Sequence, residues 1–132
     1  MPVEAIIIDD SATAQTYIQY QLVQLGCVIA GEAANAADGL KLFRRVKPAI
    51  VTLDLVMPVT DDVDAISALR AMKKEAPHAV IIVVSTLGSE MNVRQCIQEG
   101  AFDYIIKPLS SAVFQHPLKK LQRRFPELRV RA

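Results

Sequence analysis

Short apolar runs recur along this chain, each followed by a stretch with apolar residues at helical spacing. Residues 3–8 are apolar but for Glu4, largely β-branched, and stop at Asp9 and Asp10, which suits a strand buried on both faces. Ala14, Tyr17 or Ile18, Leu22 and Leu25 then mark the inner face of a helix over 11–25, stopped by Gly26. A brief strand over 28–31 precedes a helix over 36–46 that buries Ala37, Leu40, Leu42 and Phe43 and ends before Pro48. The third strand, 49–53, again meets an aspartate, Asp54. A helix over 64–75 turns Ile66, Leu69 and Met72 inward. Residues 79–84 form the longest unbroken apolar run and predict a strand near the centre of a sheet. A helix over 89–99 stops at Gly100, a strand follows over 102–106, and a last helix comes after Pro108. Five strands alternating with five helices through short connections predict an α/β fold, a doubly wound parallel sheet covered on both faces.

Composition narrows this without changing it. The 132 residues make one domain of ordinary size, and 52% hydrophobic against 22% charged favours a packed core over disorder. The six-residue apolar run is far too short to span a membrane, and no basic-then-apolar leader opens the sequence. Cys27 and Cys96 lie in apolar surroundings without metal spacing and read as buried free thiols of a cytoplasmic protein. His78 and His116 fit no metal pattern either and read as solvated. Net charge is +1, but six basic residues and one acid, Glu127, lie from Lys119 onward. The tail, 126–132, reads as a basic extension or the start of a linker beyond a domain over 1–125. A solvated helix face explains it, so direct nucleic-acid binding is not expected.

In a parallel sheet, ligands bind outside the carboxyl ends of the strands, near the point where strand order reverses. The residues there are Asp9 and Asp10 after the first strand, Asp54 after the third, Ser85 and Thr86 after the fourth, and Lys107 after the fifth. Taken singly, each aspartate reads as readily as a helix cap, and Asp10 or Ser11 is a fair cap for the first helix. Taken together, three carboxylates on one edge are costly, since two charges about 4 Å apart repel by roughly 4 kcal/mol at an effective dielectric near 20. Lys107 offsets part of this, and a hard dication with oxygen ligands, such as Mg²⁺, offsets more. A carboxylate can also act as a nucleophile toward phosphorus, with metal and lysine neutralising the transferring group. The pattern therefore predicts a phosphoryl-accepting Mg²⁺ site.

These residues resemble the receiver domains of bacterial two-component response regulators. The resemblance covers nearly the whole chain and rests on Ile8-Asp9-Asp10-Ser11, Thr52-Leu53-Asp54-Leu55-Val56-Met57-Pro58, Val84-Ser85 and Tyr104-Ile105-Ile106-Lys107-Pro108. Gly31-Glu32-Ala33-Ala34-Asn35 and Gln98-Glu99-Gly100-Ala101 support it and look most like chemotaxis CheY-type receivers. It implies a (βα)5 flavodoxin/CheY-like sheet of order 2-1-3-4-5. It implies Asp54 as phosphoacceptor for a sensor histidine kinase or phosphotransfer protein. It further implies Mg²⁺ on Asp10, Asp54 and the Val56 backbone carbonyl, with Asp9 acting through water. Lys107 would pair with a phosphoryl oxygen, across a cis bond to Pro108. Ser85 and Tyr104 would be the switch pair, coupling the site to a protein-binding surface on the fourth helix, fifth strand and fifth helix. The chain would then be a phosphorylation switch, with no turnover of outside substrates and with room for a phosphorylation-dependent homodimer. A single-domain regulator is favoured; the alternatives are the receiver part of a longer effector regulator, or a degenerate receiver serving as a constitutive interaction module.

Four departures from the family pattern carry consequences. Asp61-Asp62 replaces the usual Asp-Gly, so a non-glycine residue occupies a position suited to positive φ. Thr86, bulkier than usual beside the switch hydroxyl, narrows access to Asp54. Val56 and Leu87 flank the phosphoryl site and cannot orient water, which predicts a long-lived phosphoaspartate. Pro117 falls within the last helix, which is either kinked there or starts late with Pro117 in its first turn. Two other classes fit worse. A flavodoxin-type redox protein would place a flavin phosphate by Ser11, Thr13 and Thr16, where Asp9 and Asp10 repel it. An aspartyl-phosphate phosphatase of the haloacid-dehalogenase kind wants a second aspartate where Val56 stands.

Overall fold

In the computed structural model, which describes residues 2–130, five strands alternate with five helices. The strands are β1 (Glu4–Ile8), β2 (Val28–Ala33), β3 (Ile50–Leu53), β4 (Val80–Ser85) and β5 (Asp103–Ile106). The helices are α1 (Ala12–Leu25), α2 (Ala36–Val46), α3 (Ala65–Glu75), α4 (Glu90–Gln98) and α5 (Ser111–Arg124). All strand pairs are parallel and the order is β2-β1-β3-β4-β5, as expected. Strand order reverses beside β1, where β2 lies on one side and β3 on the other.

The continuous apolar runs are explained by two separate cores. Alternate residues of the strands, Ile6, Ile8, Val51, Leu53, Ile81 and Val83, pack with Leu40, Phe43, Leu69 and Met72 on the side of α2 and α3. Their neighbours Ala5, Ile7, Ile50, Ile82 and Val84 pack with Ile18, Leu22, Phe114 and Leu121 on the side of α1 and α5. A strand covered on both faces has no polar side to show, so alternation vanishes from the sequence. Cys27 and Cys96 are buried free thiols, and burial pushes Cys27 up to about 11. His78 and His116 are exposed.

Helix ends follow local chemistry. Ser11, Asn35, Asp64, Ser89 and Ser110 each accept a backbone N–H of the first turn, which sets where the five helices begin. Arg44 and Arg45, Lys73 and Lys74, and Arg123 and Arg124 lie in the last turns of α2, α3 and α5, where the helix dipole favours cations. Gly26 adopts φ 106 after α1 and caps it through Leu22 and Val23 carbonyls.

Three readings need adjustment. β2 runs two residues further than its apolar pattern, because Gly31, Glu32 and Ala33 pair with Ile6, Ile7 and Ile8. The tail does not leave the body at Phe125: Leu128 is buried with the α1 and α5 core residues. Pro117 is the seventh residue of α5, well inside it, so the late-start alternative fails. Its ring is buried, and the helix forgoes the N–H that would have reached back to residue 113.

The Asp61-Asp62 departure takes a definite form. Both residues have positive φ, 53° and 57°, in a tight turn closed by the Val63 N–H on the Thr60 carbonyl at 3.0 Å. Two adjacent positive φ values define a type I′ turn, whose second central position strongly favours glycine. Asp62→Gly is expected to stabilise the fold by about 0.5–1 kcal/mol, because aspartate bears part of the left-handed penalty that glycine escapes. Thermal unfolding should register a rise of a few degrees; an unchanged or lower midpoint would contradict this.

Candidate functional site

The register brings the predicted residues together. Ile8 pairs with Leu53, so β1 and β3 end level and Asp9 and Asp54 emerge side by side. Ser85 pairs with Ile106, which sets Lys107 beside the end of β4, its N–H on the Ser85 carbonyl at 2.8 Å. Asp9 and Asp54 are almost wholly buried, 1% and 3% exposed, whereas Asp10 opens to solvent. Oxygens of the three carboxylates lie within 4.8 Å of one another.

Lys107 is the cation among them. Its ammonium lies 2.9 Å from Asp9 Oδ2 and donates to Asp54 Oδ2 at 3.1 Å. Burial works against its charge, but pairing with both carboxylates outweighs this and raises its pKa above the ordinary lysine value. Asp9 is shifted upward, chiefly by burial and to a smaller degree by the neighbouring Asp54 charge, despite the Ser11 N–H and Lys107. The contact with Lys107 lacks hydrogen-bond geometry, leaving Asp9 Oδ2 buried without a hydrogen-bond donor.

Two positioning contacts had no signal in the sequence. The Ser11 N–H donates to Asp9 Oδ1 at 2.9 Å, and Gln15 Nε2 donates to the Asp9 carbonyl at 2.5 Å. Together they lock Asp9 to the first turn of α1. Across the site, the Val56 N–H donates to Asp54 Oδ1 at 3.1 Å, fixing that carboxylate from its own loop. The Val56 side chain is exposed, as are Thr86 and Leu87. Thr60 Oγ1 donates to Asn35 Oδ1 at 3.2 Å, tying the Asp61-Asp62 turn to the start of α2.

Ser85 is fully buried, and its Oγ accepts the Leu87 N–H at 3.2 Å. The half-buried Tyr104 donates its hydroxyl to the Leu87 carbonyl. The expected switch pair thus meets at one residue of the β4–α4 loop, Leu87, whose role as a shared backbone anchor no side-chain pattern announces. The Lys107–Pro108 bond is cis.

The donor set suits a hard dication. Three carboxylates, one of them open to solvent and one carrying a buried oxygen short of a donor, offer oxygen ligands only. This is an acidic cluster compatible with Mg²⁺. No helix among the described residues is long and apolar enough to cross a membrane.

The parallel sheet thus gathers aspartates at the ends of β1 and β3 and a lysine reaching across from β5 on one edge. The chain belongs to the response regulator receiver domain family, whose model matches residues 5–119. It is 33% identical over 118 residues to the chemotaxis protein CheY of Thermotoga maritima, covering 89% of this chain and 96% of that one. It is 35% identical over 106 residues to Bacillus subtilis CheY, covering 80% and 86%. Among solved structures it is similar to the Borrelia burgdorferi CheX–CheY–BeF3–Mg²⁺ complex, with TM-score 0.75, 30% identity and coverage of 95% and 90%. It is a CheY-type receiver domain of two-component signalling.

Proposed function

We propose that Asp54 accepts a phosphoryl group from a histidine kinase or phosphotransfer protein and that this switches a protein-binding surface. The observation that carries the reading is Lys107, one ammonium shared by two buried carboxylates beside a third that is open to solvent. Lys107 and the Val56 N–H hold Asp54 in place. An Asp54 oxygen then bonds to phosphorus as the P–N bond of the donor phosphohistidine breaks, its electron pair returning to the imidazole. Lys107 turns from balancing carboxylates to balancing a phosphoryl oxygen. Mg²⁺, on Asp10, Asp54 and the Val56 carbonyl with Asp9 behind, would neutralise the remaining phosphoryl charge when bound.

The readout follows from the Leu87 anchor. Ser85 Oγ accepts the Leu87 N–H, and a phosphoryl oxygen accepting from the Ser85 O–H draws Oγ away from that N–H. The β4–α4 loop then shifts, and Tyr104 with it. Met91, Ile97 and Ile106 already expose apolar surface on α4 and β5, 81% for Met91, which suits a protein partner or a second copy of the chain. The protein acts in the cytoplasm as a switch and does not turn over outside substrates.

Intact-protein mass tests the reading directly. Incubation with acetyl phosphate is expected to add one phosphoryl group in Mg²⁺ and none in EDTA. No gain under either condition would leave a constitutive interaction module instead. Val56 and Leu87 carry no group able to orient water, so the phosphoaspartate is expected to last for minutes. A mass time course after donor removal that decays within seconds would refute this. Thr86→Ala, by removing bulk at the rim, is expected to speed phosphorylation a few-fold; equal rates would dispose of the role given to Thr86.

A further inference from the structure

A second concavity lies at the other end of the sheet. Pro48 and Ala49 lead into β3 and Ala79 leads into β4, so the cavity between them opens at the amino ends of the strands, away from Asp54. It has a volume of about 590 Å³, within the range of small-molecule sites. Phe43, Pro48, Ala79 and Phe125 give it an apolar floor. The switch chemistry uses none of these residues.

Its rim is cationic and held in place. Arg44 is paired with Glu75 through two hydrogen bonds, 2.9 and 2.7 Å, bridging α2 and α3 and neutralising the one acid on the rim. The Arg124 guanidinium lies 4.9 Å from the Phe125 ring centroid and donates to the His78 carbonyl at 3.5 Å. Lys47 caps α2 in the left-handed region, φ 55, and has no carboxylate partner among the described residues. After the Arg44–Glu75 pair cancels, Lys47 and Arg124 stand over an apolar floor with no carboxylate partner among the described residues. Helix dipoles explain cations at these helix ends. They do not explain a recess lined by two phenylalanines beneath them.

The geometry points to a binding site for a small organic anion, an aromatic body carrying a single acidic group, with the ring on Phe43 and Phe125 and the acid between Lys47 and Arg124. Size, apolar floor and residual positive charge all favour this class, since pockets of this kind pair a mostly apolar lining with a few placed polar groups. An inorganic anion would leave the floor unused.

The probe is the aromatic sulfonate 1-anilinonaphthalene-8-sulfonate, followed by fluorescence on the full, natively folded chain. Saturable 1:1 binding is expected, weakened at least fivefold by Lys47→Gly and by Arg124→Gln, and unchanged by Lys119→Gln on another face. Lys47→Gly relieves a positive φ, so loss of binding there cannot be put down to unfolding; circular dichroism checks both variants. The uncharged analogue N-phenyl-1-naphthylamine should bind at least fivefold more weakly. Absence of saturable binding, equal affinity for the neutral analogue, or equal weakening by all three variants would overturn the proposal.

Discussion

Asp54→Asn is expected to lose phosphoryl incorporation completely, with the mass after acetyl phosphate and Mg²⁺ remaining that of the unmodified chain. Three carboxylates share the edge, but each has a different job available. Asp9 is held by the Ser11 N–H, by Gln15 through its backbone, and by Lys107, and it is all but sealed from solvent. Asp10 is open but stands outside the Lys107 pairings. Asp9 and Asp54 each have Lys107 near one oxygen and a backbone N–H on the other, but only at Asp54 does the ammonium donate a hydrogen bond, the arrangement that orients a nucleophile and leaves a cation beside the incoming oxygens. Asparagine keeps the shape and removes the nucleophile. Phosphoryl gain persisting in Asp54→Asn would move the acceptor to Asp10 or Asp9, and a peptide-level mass analysis would say which.

Much of this was legible in the sequence because the strands are covered on both faces. Residues 79–84 could not be anything but an interior strand once helical length was excluded, and β4 is buried at all six positions. The strand-end residues were legible for a related reason: a parallel sheet delivers every carboxyl end to one edge, so naming the strands named the site. Backbone partners were not legible. Gln15 reaches the Asp9 carbonyl through helix geometry, and any residue could supply the Leu87 carbonyl that Tyr104 uses. Pro117 was ambiguous for another reason. A proline costs an interior helix about 3 kcal/mol by local propensity, yet here its ring is buried and tertiary packing holds the helix together. The Asp61-Asp62 turn sits between these cases: the glycine-like position was visible, but not that both aspartates would take positive φ.

Lys107→Ala is expected to destabilise the metal-free protein by about 3 kcal/mol, the lower end for removing one partner from a buried charge cluster. The lower end applies because Asp10 leaves one side of the cluster open to water. Without the ammonium, Asp9 and Asp54 remain buried and facing each other, and Asp9 already lacks a donor on Oδ2. Its pKa, raised by burial even with Lys107 present, would rise further as the opposing attraction disappears. The same reasoning fixes the sign of the double variant. Lys107→Ala with Asp54→Asn leaves one buried carboxylate rather than two and should recover at least about 1 kcal/mol relative to additive expectation. Urea unfolding in EDTA at neutral pH measures all three variants. A single-variant effect below about 0.5 kcal/mol, the usual range for uninvolved surface positions, would mean that the aspartates are solvated in the absence of metal. Strict additivity would mean that Lys107 supports the fold by packing rather than by charge.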